Sequence, residues 1–144
     1  MNATAMNAAA RMLTVAVDGV LRDDRGEAIA AGLAWVRREF RDSNAMLVYI
    51  SALGAEDADA RWLWRHRLPA ADVVGVGAAA GLGAAASAWP AAVVQALNSL
   101  VGDAPRSIQH IDANPATVEA LNAAGDPQLT ASLPPWVHAM PAMA

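Results

Sequence analysis

Three short apolar runs in this chain each end abruptly on a polar residue, and that repeated ending most constrains the fold. Met12 to Val17 stops at Asp18-Gly19, Ala45 to Ile50 stops at Ser51, and Ser107 to Ile111 stops at Asp112. Runs of this length, partly β-branched and closed by polar or turn-forming residues, predict buried strands. Between them lie stretches with helical spacing. From Glu27 to Arg41 the apolar Ile29, Leu33, Val36 and Phe40 recur at helical intervals, with Arg37, Arg38 and Arg41 near the end, where cations suit the helix dipole. Ala55 to Arg67 opens with Glu56, Asp57 and Asp59, closes with Arg61, Arg65 and Arg67, and is stopped by Leu68-Pro69.

The remaining elements follow the same alternation. Asp72 to Val76 predicts a strand, and Pro90 opens a helix running to about Val101. Asn114 caps a helix that begins at Pro115 and ends before Gly125, and Gln128 to Ala131 predicts a short fifth strand. Strands alternating with helices imply parallel pairing with right-handed crossovers. The expected architecture is a three-layer α/β/α sandwich with a mostly parallel, Rossmann-like sheet of about five strands. The interval from Asp18 to Ala45 is filled mainly by a helix, leaving no room for a large cap domain. At 144 residues the chain suits one domain. Residues 1–11 read as an N-terminal extension, 12–132 as the domain and 133–144 as a Pro-rich tail pinned by Trp136.

In an open parallel sheet the C-terminal strand ends share one edge, where ligand crevices form. Asp18, Ser51 and Asp112 should therefore converge, and they are the candidate site residues. Each also has an ordinary structural explanation. Asp18 before Gly19 forms turns, Ser51 can cap the next segment, and Asp112 can sit in the loop before the Asn114 cap.

Composition narrows the chemistry. There is no cysteine, which excludes disulfides and thiolate metal sites and suits a reducing compartment. All ten basic residues are arginine, so no step can use a lysine amine. A net charge of -4 argues against a broad nucleic-acid surface. Arg61, Arg65 and Arg67 with Trp62 and Trp64 could form a stacking face, but the two tryptophans should point in different directions, Trp62 into the core. His66, His110 and His138 are dispersed; His66 reads as solvated and His110 as a buried, hydrogen-bonded core residue. Gly75 to Gly81 lacks dinucleotide-binding spacing and reads as a loop of small residues.

The start of the chain offers no secretion signal, so a cytoplasmic location is expected. Val73 to Gly102 carries no charge and is long enough to span a bilayer, but it is mostly Ala and Gly and contains Pro90, Gln95 and Asn98. A strand, a loop and a helix are expected there in place of a membrane span.

The strand-end segments resemble the haloacid-dehalogenase-like (HAD) phosphohydrolases. Ala16-Val17-Asp18-Gly19-Val20-Leu21 is similar to the first motif of that family, a strand ending in Asp-x-Asp-Gly. Val48-Tyr49-Ile50-Ser51 is similar to the second, a strand ending in Ser or Thr, and His110-Ile111-Asp112-Ala113 to the fourth, which ends in one or two acids. The Arg61 to Pro69 segment also looks like the helix that follows the second motif in small members. The resemblance covers Met12 to about Ala131.

The departures bear directly on chemistry. The resemblance implies an aspartate nucleophile where this chain has Ala16, and a methyl group can neither attack phosphorus nor bind a metal. It implies a third-motif lysine where the counterpart region, Ala88-Trp89-Pro90, has none, and a second acid where Ala113 stands. Removal of the nucleophile by engineering would explain Ala16 alone, whereas natural loss explains the missing lysine as well. Mg2+ needs several well-placed oxygen ligands, and phosphoryl transfer depends on positioning and charge stabilisation. The expectation is a catalytically inactive HAD-like protein with no cofactor, in which Asp18, Ser51 and Asp112 are vestigial. It would act on an unknown protein partner, through homo-oligomerisation, or on a phosphorylated ligand. One alternative is a Mg2+-dependent phosphohydrolase in which Asp18 and Asp112 hold the metal. Another is a small structural scaffold subunit.

Overall fold

The computed structural model of the chain describes residues 11–23, 25–42, 45–51, 56–75, 89–101, 107–123 and 128–137. Strands β1 (Arg11–Ala16), β2 (Met46–Ser51), β3 (Asp72–Gly75), β4 (Ser107–Ile111) and β5 (Leu129–Ser132) form one sheet in the order β3-β2-β1-β4-β5. Every pairing is parallel. Helices α1 (Ala30–Asp42), α2 (Glu56–Arg65), α3 (Trp89–Val101) and α4 (Pro115–Ala123) complete the layers, followed by a 3-10 turn at Pro135–Val137.

Because a parallel sheet is covered on both faces, its central strands read as continuous apolar runs. In β1 and β2 the first residue is exposed and the next five are buried. Period-two alternation then divides the core. Leu13, Val15, Leu47 and Tyr49 pack with Leu33, Trp35 and Val36 of α1 and Leu63 of α2. Met12, Val48, Ile50 and Ile108 pack with Ala92, Val93 and Leu97 of α3 and Leu121 of α4. The result is the expected three-layer α/β arrangement, with no large cap among the described residues.

The start of α1 differs from the sequence expectation. Asp23 Oδ1 accepts hydrogen bonds from the Arg25 and Glu27 amides, and Arg22 bridges Ala28, so residues up to Ile29 finish a polar turn before the helix begins at Ala30. Phe40, read as part of the apolar stripe, is 44% exposed, whereas Trp35 is buried. Trp35 meets Trp136 edge-on with ring centroids 6.1 Å apart, which ties the C-terminal turn to the body. Gly32 lets α1 lie directly on the loop after β1, since a Cβ there would fall 1.8 Å from the Val20 carbonyl oxygen.

Helix α2 ends at Arg65 in a Schellman motif. The Leu68 amide donates to the Leu63 carbonyl at 3.1 Å and the Arg67 amide to the Trp64 carbonyl at 3.0 Å. The buried Leu63 and Leu68 side chains belong to the same core cluster and supply the apolar part of the motif. Arg67 takes the left-handed position (φ 57°) where glycine is usual.

The chain runs outward from β1 to β2 and β3, then returns to β4 and β5 on the other side. The direction of winding therefore reverses between β1 and β4, and the C-terminal ends of those strands flank the place where α/β sheets open a crevice. Most of the Gly/Ala segment from Gly75 to Ser87, together with Gly125 and His138, lies outside the described residues. No described helix is long and apolar enough to cross a membrane.

Candidate functional site

The loop after β1 folds back on itself. The Val17 carbonyl accepts hydrogen bonds from the Leu21 and Arg22 amides, and the Gly19 amide donates to the Arg22 carbonyl at 2.7 Å. This winding places Arg22 one turn from Asp18. Gly19 has φ 91°, and a Cβ there would lie 2.8 Å from the Ala113 Cβ, so the β1 and β4 loops touch at a point that admits no side chain.

Arg22 is the hub of this edge. Its Nε and Nη2 both reach Asp18 Oδ1 at 2.9 Å, and Nη1 reaches Asp59 Oδ1 of α2 at 2.9 Å. The guanidinium carbon also lies 5.3 Å from the centre of the Trp62 ring. Burial acts against the Arg22 charge, but hydrogen bonds and Coulomb attraction from Asp59 and Asp18 outweigh it and raise its pKa above the ordinary guanidinium value. Ser51 Oγ donates to the second oxygen of Asp59. Asp18 and Ser51, on different strand ends, are thus joined through Arg22 and Asp59.

Asp112 turns the other way. It is 2% exposed; Oδ2 lies 3.0 Å from His110 Nε2, and Oδ1 accepts the Asn114 amide at 2.9 Å. His110 Nδ1 in turn lies 2.7 Å from Thr14 Oγ1, and Thr14 and His110 are register partners across β1 and β4. Thr14, His110 and Asp112 form a fully enclosed polar chain beneath the layer of α3 and α4. A nucleophile must meet its substrate, so complete burial of Thr14 assigns this chain to the core.

The structure therefore brings Asp18 and Ser51 into one network and places Asp112 in a second. Sequence reasoning missed Arg22 and Asp59 as partners. The signal for Arg22 was its position four residues after Asp18; Asp59 was read only as a complement to the helix dipole. His66, read as solvated, is half-buried and stacks on Trp62 with ring centres 4.1 Å apart. Trp62, read as core, is only partly buried and packs against it.

Asp18 is bound by Arg22, Asp112 is filled by His110 and the Asn114 amide, and no group of three or more metal-ligating side chains gathers among the described residues. Ala16 is 3% exposed within the apolar core, and Ala113 carries the contact with Gly19. The side chain of Trp89 lies outside the described residues.

Fold and strand-end geometry define an open, all-parallel α/β protein whose central strand ends carry internally paired polar groups. Comparisons with protein-family models, curated proteins and solved structures found no match.

Proposed function

We propose that this chain is a non-catalytic, HAD-like α/β protein that acts through binding or assembly, not phosphoryl transfer. One observation carries the reading: the polar groups that chemistry would require are already engaged by the fold. Asp18 pairs with Arg22, Ser51 with Asp59, and Asp112 with His110 and Asn114. Enzymes aim preorganised groups at the charge that develops in the transition state, whereas here Asp18 and Asp112 face Arg22 and His110. The buried methyl of Ala16, at the position where the resemblance expects a nucleophile, supports the same conclusion.

The test is hydrolysis of p-nitrophenyl phosphate with and without Mg2+ by the unaltered protein, Asp112→Ala and Ala16→Asp. The expected result is no turnover above buffer by the unaltered protein. Turnover that disappears in Asp112→Ala would overturn the proposal and restore a metal-dependent phosphohydrolase.

A further inference from the structure

The molecule's most conspicuous unpartnered surface lies beyond the strand-end edge, at the end of α2. Trp64 is 80% exposed, the most exposed of the large hydrophobic residues among those described. An apolar cavity of about 140 Å³ opens beside it, lined among others by Tyr49, Leu63, Leu68, Pro69 and Val73. A wider groove of about 570 Å³ shares Trp64, Leu68 and Ala70 with that cavity and adds Arg65 and Arg67. Arg61, Arg65 and Arg67 are exposed, and none of them makes an ion pair among the described residues.

The backbone holds this surface in a costly shape. Arg67 occupies a left-handed conformation that glycine adopts freely. The strain turns the chain so that Leu68 and Pro69 line the cavity while Arg67 lines the groove. Tyr49 is fixed beneath by donating its hydroxyl to the Pro69 carbonyl at 2.8 Å. The cavity wall is thus anchored to β2.

We propose that this groove docks an acidic peptide segment of a partner protein, with one large apolar side chain in the Trp64 cavity and flanking carboxylates on Arg65 and Arg67. The proposal rests on the binding reading above and names the partner's chemistry. Charge complementarity selects the occupant. Two arginines without an ion pair among the described residues, Arg65 and Arg67, border the apolar groove on a protein of net charge -4 and favour a local acidic ligand with an anchor. Residues 1–10 and 138–144 contain no Asp or Glu, so neither of these two segments has the chemistry of such a ligand. A single-stranded nucleic acid is disfavoured because it needs successive stacking platforms along a basic track. Among the described aromatic residues of this surface only Trp64 is freely exposed.

The experiment is selection of a displayed library of random 12-residue peptides on the immobilised full chain. The best peptide is then titrated by fluorescence anisotropy against the unaltered protein, Trp64→Ala, Arg65→Gln/Arg67→Gln and the remote control Arg38→Gln. Enrichment of Asp and Glu around one aromatic or large aliphatic residue is expected. Affinity should fall at least about 10-fold in Trp64→Ala and in the double variant, and stay within about 2-fold in the control. Trp64 is so exposed that its loss should leave the melting temperature unchanged, which separates docking from folding.

Enriched peptides without acids, affinity indifferent to Trp64, or no enrichment at all would overturn the proposal. So would tighter binding of a 12-nucleotide oligothymidine than of the peptide, or a Trp64-dependent dimer that excludes the peptide. Failure here leaves the non-catalytic reading in place, whereas phosphatase turnover would remove that reading and leave the groove standing.

Discussion

Replacing Arg22 by Met keeps most of its volume and removes its charge, which isolates what the guanidinium does. Asp18 is 44% exposed at its side chain, so its pair with Arg22 contributes at most about 1 kcal/mol. Asp59 is different: its side chain is 5% exposed, and Arg22 is 17% exposed. Breaking a buried pair by removing one partner costs about 3–5 kcal/mol. Because Ser51 still donates to Asp59, about 2–3 kcal/mol is the expected cost of losing this contact. The total expected for Arg22→Met is about 3 kcal/mol. With a urea dependence of roughly 1–3 kcal/mol/M, the unfolding midpoint should fall by at least about 1 M. The double variant Arg22→Met/Asp59→Asn should recover part of that loss, since no charge is then stranded. Urea denaturation followed by tryptophan fluorescence measures all three proteins. A loss below about 0.5 kcal/mol in Arg22→Met would refute the reasoning, because a hub held for a ligand and not for the fold could be removed at little cost.

Four other perturbations probe different parts of the structure. Arg67→Gly relieves the left-handed strain and should raise stability by about 1 kcal/mol, while weakening the proposed docking; a lower melting temperature would count against the strained cap. Gly32→Ala forces a Cβ towards the Val20 carbonyl and should cost about 3 kcal/mol or more, read as loss of cooperative unfolding or a large midpoint shift. Thr117 is fully buried with its hydroxyl unpartnered, so Thr117→Val should be neutral or stabilising by about 1 kcal/mol in the same assay. Burial pushes the Tyr49 phenol up from its ordinary value. The folded state then holds that proton more tightly than the unfolded state, so stability present below about pH 10 is lost as pH rises above it. Tyr49→Phe should flatten that alkaline decline, seen in melting temperature against pH.

The fold was legible because its signals are local and repeat. Apolar runs ending at Asp18, Ser51 and Asp112 became β1, β2 and β4, and the Asn114 side chain accepts the Ala116 amide as a helix cap should. The boundaries were less legible where side chains compete with helix formation, as Asp23 does before α1. The position of the candidate site residues at the C-terminal strand ends followed from parallel topology. Their pairing did not, because Arg22 with Asp59 and Thr14 with His110 are contacts between distant segments that no local pattern encodes. His110 was expected to be a buried, hydrogen-bonded core residue, and it is; its partner Asp112, two residues on, was not paired with it from the sequence, although that spacing favours one face.

Occupation of the strand ends can be measured directly. Mg2+ and inorganic phosphate are titrated into uniformly 15N-labelled protein while the amide signals of Ala16 to Gly19, Ser51 and Asp112 to Asn114 are followed by NMR. With Asp18, Asp59 and Asp112 engaged by the fold, these signals should stay in place up to millimolar ligand, apart from uniform drift with ionic strength. Saturable shifts confined to those residues, and abolished in Asp112→Ala, would show that the edge still holds a metal or phosphate and would contradict the claim that its polar groups are already engaged by the fold.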